Sequence, residues 1–137
     1  MNDATCENNT QKPTAHADHN GQPNRGGALA LRLLADPTRA RILFLLAKGE
    51  LSVGELQEIL GMRQSRISTH LSLLRKAGLA ADRRDGKHSY YALTPNLPDG
   101  VSQILEAALT ATAKDATTLA DQRAFKRLAE KRRRKSE

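Results

Sequence analysis

QSRISTHLSLLRKAG, residues 64–78, decides the fold. Ile67, Leu71, Leu74 and Ala77 recur at three- and four-residue spacing, while Ser65, Arg66, Ser68, Thr69 and Arg75 take the other faces. That pattern predicts an amphipathic helix from Gln64 to Ala77, stopped by Gly78. Just upstream, Ser52-Val53-Gly54-Glu55 has the form of a capping box, so a short helix starts after Ser52 and ends near Gly61. A helix, a break at residues 61–63 and a second helix at this spacing make a helix-turn-helix.

Downstream, Leu79–Arg84 and His88–Leu93 are two strand-like runs flanking Asp85-Gly86. Asp-Gly is a strong hairpin signal because both turn positions favour positive φ, and the hairpin forms a wing beside the second helix. Upstream, ALALRLLADPTRARILFLLAKG, residues 28–49, holds Leu29, Leu33, Leu34, Ile42, Leu43, Leu45 and Leu46 at helical spacing. Two helices meet there at Asp36-Pro37, an N-cap followed by a first-turn proline, and Gly49 stops the second. Leu29, Leu71, Leu74 and Leu93 are core positions on this reading. Tyr90 and Tyr91 alternate on a strand, one packed and one exposed.

The expected class is mainly α with a small β-hairpin wing: a winged helix-turn-helix over residues 27–97. Residues 1–26 are polar and poor in apolar side chains, and read as a disordered tail. Residues 98–130, with Val101, Ile104, Leu105, Ala108 and Leu109 at helical spacing, read as one or more dimerisation helices. Residues 131–137 read as a basic, frayed end. The 137 residues suit one compact domain, and no apolar run approaches the length needed to cross a bilayer. A cytoplasmic protein with no signal peptide is expected. Cys6 is the only cysteine, which excludes an intrachain disulfide and a cysteine-pair zinc site.

The net charge is +7 and suits a polyanionic partner. Residues 27–97 carry 11 Lys and Arg against 6 Asp and Glu, and residues 114–137 carry 9 against 4, so the excess lies in the winged domain and the last segment. Phe44, Phe125, Tyr90 and Tyr91 are the only aromatics, too few for a base-stacking platform, so duplex DNA fits better than a single strand. In a helix-turn-helix the first residues of the second helix reach base edges. Gln64, Ser65, Arg66, Ser68, Thr69 and His70 are therefore the candidates there, with Gln64 suited to adenine and Arg66 to guanine, and Arg63 just ahead of the helix is a candidate phosphate contact. Arg75, Arg83, Arg84, Lys87 and His88 are candidates for phosphate or minor groove. His70 has no second metal-capable residue four positions away, so a metal role is not expected, and neither is a cofactor. No phosphate loop, catalytic triad or HExxH site points to an enzyme.

Residues 28–97 resemble the ArsR/SmtB family of small winged-helix repressors. The segments ADPTRARILFLL, ELSVGELQEILGM, QSRISTHLSLLRKAGLA and DRRDGKHSYYALT carry the resemblance, in the family's order and spacing. It implies a homodimer built from the first and last helices, bound to an imperfect palindrome in double-stranded DNA and released by an inducer. The departures are informative. Metal- and arsenic-sensing members carry two cysteines in the segment that reads ELSVGEL here, at positions held by Ser52 and Gly54, and neither supplies a thiolate. The zinc site that other members build from Asp and His on the last helix is also missing, since no histidine follows His88. Arg63 stands where the family often has a serine cap.

The expectation is therefore a repressor released by an inducer that is not a metal at the usual family sites. The alternatives are a constitutive or architectural DNA binder, or a regulator switched by a disulfide between two copies of Cys6. Chance accounts best for the grouping of Cys6, His16, Asp18 and His19. The segment from Ala111 onward is similar to extensions in a subset of the family; it is read as enlarging the dimer interface, with a basic end that touches flanking DNA or is solvated.

Overall fold

A computed structural model describes residues 25–136 of the chain. Cys6, His16, Asp18 and His19 lie outside the described residues. Among the described residues six helices and three strands follow in the order α1 (Arg25–Leu34), α2 (Pro37–Lys48), β1 (Leu51–Ser52), α3 (Val53–Leu60), α4 (Gln64–Lys76), β2 (Ala80–Asp85), β3 (His88–Leu93), α5 (Asp99–Thr112) and α6 (Ala116–Ser136).

Local chemistry sets most of these boundaries. The Asp36 carboxylate accepts the Thr38 and Arg39 amides at 2.8 and 3.2 Å, with Pro37 at the first helical position of α2. The expected capping box is present: Ser52 Oγ accepts the Glu55 N–H at 3.2 Å, and Glu55 Oε1 accepts the Ser52 N–H at 2.9 Å. Gly61 adopts the left-handed conformation (φ 68°) that closes α3, its N–H donating to the Gln57 carbonyl. One hydrophobic core joins α1, the helix-turn-helix, the root of the wing and the last two helices. Ile42, Leu43, Leu45, Leu51, Leu56, Ile67, Leu71 and Leu74 are fully buried within it.

Four features differ from the sequence reading. The first helix starts at Arg25, ahead of the composition change at Gly27. A two-residue strand, β1, pairs Leu51 with Tyr91 and Ser52 with Tyr90, completing a sheet in the order β1-β3-β2. Two residues are too short a run to show the alternation that marks a strand. The hairpin pairs Asp85 with His88, so its central residues are Gly86 and Lys87, and Gly86 alone of the two has positive φ (64°). This is the form with glycine at the first turn position, not the one with two left-handed residues. Finally, α6 continues to Ser136 through the stretch expected to fray. Contacts made by Arg132, described below, hold its last turns.

Candidate nucleic-acid interface

One face of α4 belongs to the core, with Ile67, Leu71 and Leu74 at zero exposure. The helix cannot roll without dislodging them, so its opposite face is fixed outward. Gln64, Ser65, Arg66, Ser68 and Thr69 are all exposed on the first turns, and exposed Arg63 precedes them in extended conformation. Arg63 supplies no side-chain cap, so the first amides of α4 keep their positive end of the helix dipole for an outside acceptor. The Thr69 hydroxyl donates to the Ser65 carbonyl at 2.9 Å, which leaves its oxygen as an acceptor. Arg66 reaches toward α2, with Nη2 a long 3.4 Å from Thr38 Oγ1.

His70 is half-buried where α4 crosses the start of α2. Its Nδ1 lies 3.5 Å from Arg39 Nη1, and Arg39 Nε donates to the Leu33 carbonyl at 2.9 Å. Burial lowers the His70 pKa below its ordinary value; Asp36 opposes the shift, while Arg39 and Arg66 add to it. Burial thus favours the neutral ring.

On the wing, neighbouring arginines have different surroundings because successive strand residues face opposite sides. Arg83 forms a two-point pair with Glu50, Nε to Oε2 and Nη2 to Oε1 both at 2.7 Å, and its guanidinium lies 4.9 Å from the Tyr90 ring centre. The hydrogen bond from Arg83 holds the Glu50 carboxyl below the usual range. Arg84 donates to Ser89 Oγ at 3.3 Å and has no ion-pair partner among the described residues, and Lys87 and His88 are exposed at the tip. Arg75 is exposed near the far end of α4, about 16 Å along the helix axis from Gln64.

The structure thus gathers Arg63 to Thr69 on one helical end and Arg84, Lys87 and His88 on the hairpin. It pairs Arg83, which stays exposed, with Glu50 and half-buries His70. Tyr90 and Tyr91 are both half-buried, so neither is the exposed member of a pair.

Three side chains that the sequence reading passed over shape these surroundings. Asp121 on α6 is buried and accepts Arg41 Nε and Nη2 at 2.8 and 2.9 Å. Arg132 donates through Nε to Glu55 Oε2 at 2.8 Å, through Nη2 to Glu55 Oε1, and to the Glu50 carbonyl at 3.2 Å. These partners stand about 80 positions apart, beyond the reach of any local spacing rule.

At the two positions discussed for metal sensing, Ser52 is engaged in the capping box and Gly54 is exposed. Among the described residues no three His, Cys, Asp or Glu side chains come together as a metal site. No described helix is long and apolar enough to cross a membrane. Surface clefts of about 250 Å³ between α3 and α6, and about 280 Å³ beside α5, fall below the roughly 300–1,000 Å³ usual for small-molecule sites.

Comparison with known proteins points in one direction. Residues 36–82 match the family profile described as bacterial regulatory protein, arsR family. The chain is 42% identical over 98 residues to an arsenic resistance transcriptional regulator of Pseudomonas putida, covering 68% of this chain and 77% of that one. It is 44% identical over 78 residues to the arsenical resistance operon repressor of Escherichia coli, covering 56% and 67%. A solved structure, the homodimeric winged helix-turn-helix DNA-binding domain of a possible ArsR-family transcriptional regulator from Mycobacterium bovis, is similar with a TM-score of 0.55 at 28% identity, covering 65% of this chain and 80% of that one.

Proposed function

The chain belongs to the ArsR family of bacterial regulatory proteins and is a DNA-binding transcriptional regulator, and we propose that it acts as a homodimeric repressor of an imperfectly palindromic operator. The observation that carries this reading is the outward polar end of α4, locked in place by a fully buried opposite face. Gln64, Ser65, Arg66, Ser68 and Thr69 read base edges in the major groove, with His70 at the margin. Arg63, Arg75, Arg84, Lys87 and His88 meet phosphate or minor groove. Arg83 serves the wing by holding its shape. Dimerisation runs through α1 and the C-terminal helices α5 and α6, with α1 packed on α5 and Leu31 58% exposed. A dimer of this kind spans half-sites about 10 base pairs apart.

The protein works by binding and not by catalysis, in the cytoplasm where its DNA is. Its inducer is something other than a metal at the family's usual positions, a reading supported by the capping role of Ser52 and the absence of a side chain at Gly54.

Selection of bound duplexes from random DNA tests the reading. A two-fold symmetric consensus is expected, and recovery of no sequence above the input pool would overturn it. Adding metals, oxidants and cell-extract fractions to the selected complex then tests release. A complex that none of them dissociates identifies a constitutive binder.

A further inference from the structure

We propose that α6 positions the wing: Arg132 acts through the segment Glu50–Glu55 on Arg83, and so sets the attitude of the β2–β3 hairpin relative to α4. The proposal rests on the wing's being a DNA-contacting element.

A two-stranded hairpin has little stability of its own in water, and residues 81–88 of this one are all exposed. The hairpin is tied to the body of the protein at its root, next to buried Leu79 and Ala80. Beyond the root, Tyr91 packs on the core, and two polar attachments, the two-residue pairing with β1 and the Arg83–Glu50 fork, join the hairpin to the body. Both polar attachments end on residues 50–52.

That same segment is gripped from the other side. The Arg132 guanidinium engages both carboxylate oxygens of Glu55 and the backbone carbonyl of Glu50. Glu55 in turn accepts the Ser52 amide, so one carboxylate joins α6 to the backbone of β1. Phe125, two turns earlier on α6, packs on Gly49 so closely that a Cβ at that glycine would lie 3.3 Å from the ring. The helix is anchored deeper by buried Leu128 and by the Arg41–Asp121 fork. Guanidinium-carboxylate forks fix orientation as well as distance, which lets a displacement of α6 pass through residues 49–55 to Arg83.

Amide hydrogen exchange on the DNA-free, full-length protein tests this. Arg132→Ala is expected to raise exchange across residues 80–93 about three- to fivefold, the scale of one exposed ion pair lost. Arg132→Lys, which keeps the charge and loses the fork, should give a smaller rise. Glu50→Gln weakens the wing-side fork but keeps the carbonyl that Arg132 uses, so it should loosen residues 80–93 without loosening α6. Arg134→Ala, which removes one exposed charge of the same helix end, should change neither.

Exchange that rises only within 116–136 in Arg132→Ala overturns the proposal, as does an unchanged wing in Glu50→Gln. Should Arg132→Ala loosen the whole protein, Arg132→Lys decides, and exchange across residues 80–93 no faster than in the unsubstituted protein overturns the proposal. Binding to a random-sequence 30-base-pair duplex separates the two readings. Weaker binding by Arg132→Ala with an unchanged wing means that Arg132 touches DNA itself, and also overturns the positioning role. Loosened wings in a protein that binds no duplex would leave positioning in place and remove the proposed function.

Discussion

Breaking the Arg41–Asp121 pair should cost different amounts depending on which partner is removed. The carboxylate side chain is 4% exposed and the guanidinium 24% exposed, joined by two hydrogen bonds at 2.8 and 2.9 Å. Removing one member of a fully buried pair costs about 3–5 kcal/mol, because the survivor is left charged and dry. Arg41→Ala strands a nearly dry carboxylate and should fall near the lower end of that range, about 3 kcal/mol. Asp121→Ala strands a guanidinium already a quarter in water, whose stem can swing outward, and should cost about 1.5–2.5 kcal/mol. Replacing both with apolar groups of similar bulk, Arg41→Met with Asp121→Leu, should restore stability to within about 1 kcal/mol. The hydrogen bond to Asp121 raises the pKa of Arg41, so the arginine stays charged throughout the usual range and one buffer near neutrality serves all variants. Urea unfolding of the single and double variants gives the coupling directly, with unchanged m-values as the check for two-state behaviour. A coupling below about 0.5 kcal/mol, the scatter expected for independent sites, would refute the reasoning. So would a larger loss for Asp121→Ala than for Arg41→Ala.

Ser52→Ala should destabilise by about 1 kcal/mol through loss of the cap, measured by the same urea titration. Burial pushes the Glu55 carboxyl up, but Arg132 and Ser52 together hold it below its ordinary 4.5. Its stabilisation is therefore complete above that pH and lost as pH falls through the folded value, and Glu55→Gln should flatten this acid limb. His70, held below its ordinary 6.5 chiefly by burial, takes up a proton more readily in the unfolded chain. Stability should fall as pH drops below 6.5 and level off under the folded value, and His70→Gln should remove that slope. On the selected operator, Arg66→Ala should lose about 1–3 kcal/mol of preference at one base position, read by competition between operator and single-base variants. Arg84→Ala should weaken binding to every sequence and reduce the salt slope by about 0.9 per protomer, read from affinities across a salt series.

The parts of the fold legible in the sequence are those set by neighbours along the chain. Asp36-Pro37, the Ser52–Glu55 box and Gly78 each act within four residues, and each lies at or beside the helix end it was read to mark. The face of α4 was legible for the same reason, since Ile67, Leu71 and Leu74 declare their period without help from elsewhere. β1 was hidden because two residues carry no period. The continuation of α6 to Ser136 was hidden because its polar, basic sequence looks like a solvated tail. What distinguishes it is Arg132 meeting Glu55 and Glu50, contacts that exist only after the chain has doubled back.

The same distinction governs the candidate interface. Counting charge along the sequence treats Arg83 and Arg84 as equals, and both were read as phosphate contacts. In the fold Arg83 faces Glu50 and Tyr90, whereas Arg84 donates to a serine hydroxyl and meets no carboxylate among the described residues. Arg41 and Arg132 are likewise engaged by carboxylates of their own chain. The excess of positive charge therefore divides into two populations with different work. Arg41, Arg83 and Arg132 hold α6, the β1 segment and the wing in register, while Arg63, Arg66, Arg84 and Lys87 have no carboxylate within ion-pair distance among the described residues. On the proposed function, DNA affinity drawn from the second population still depends on the first, because a phosphate contact at the tip of a hairpin is only as well placed as the root that carries it.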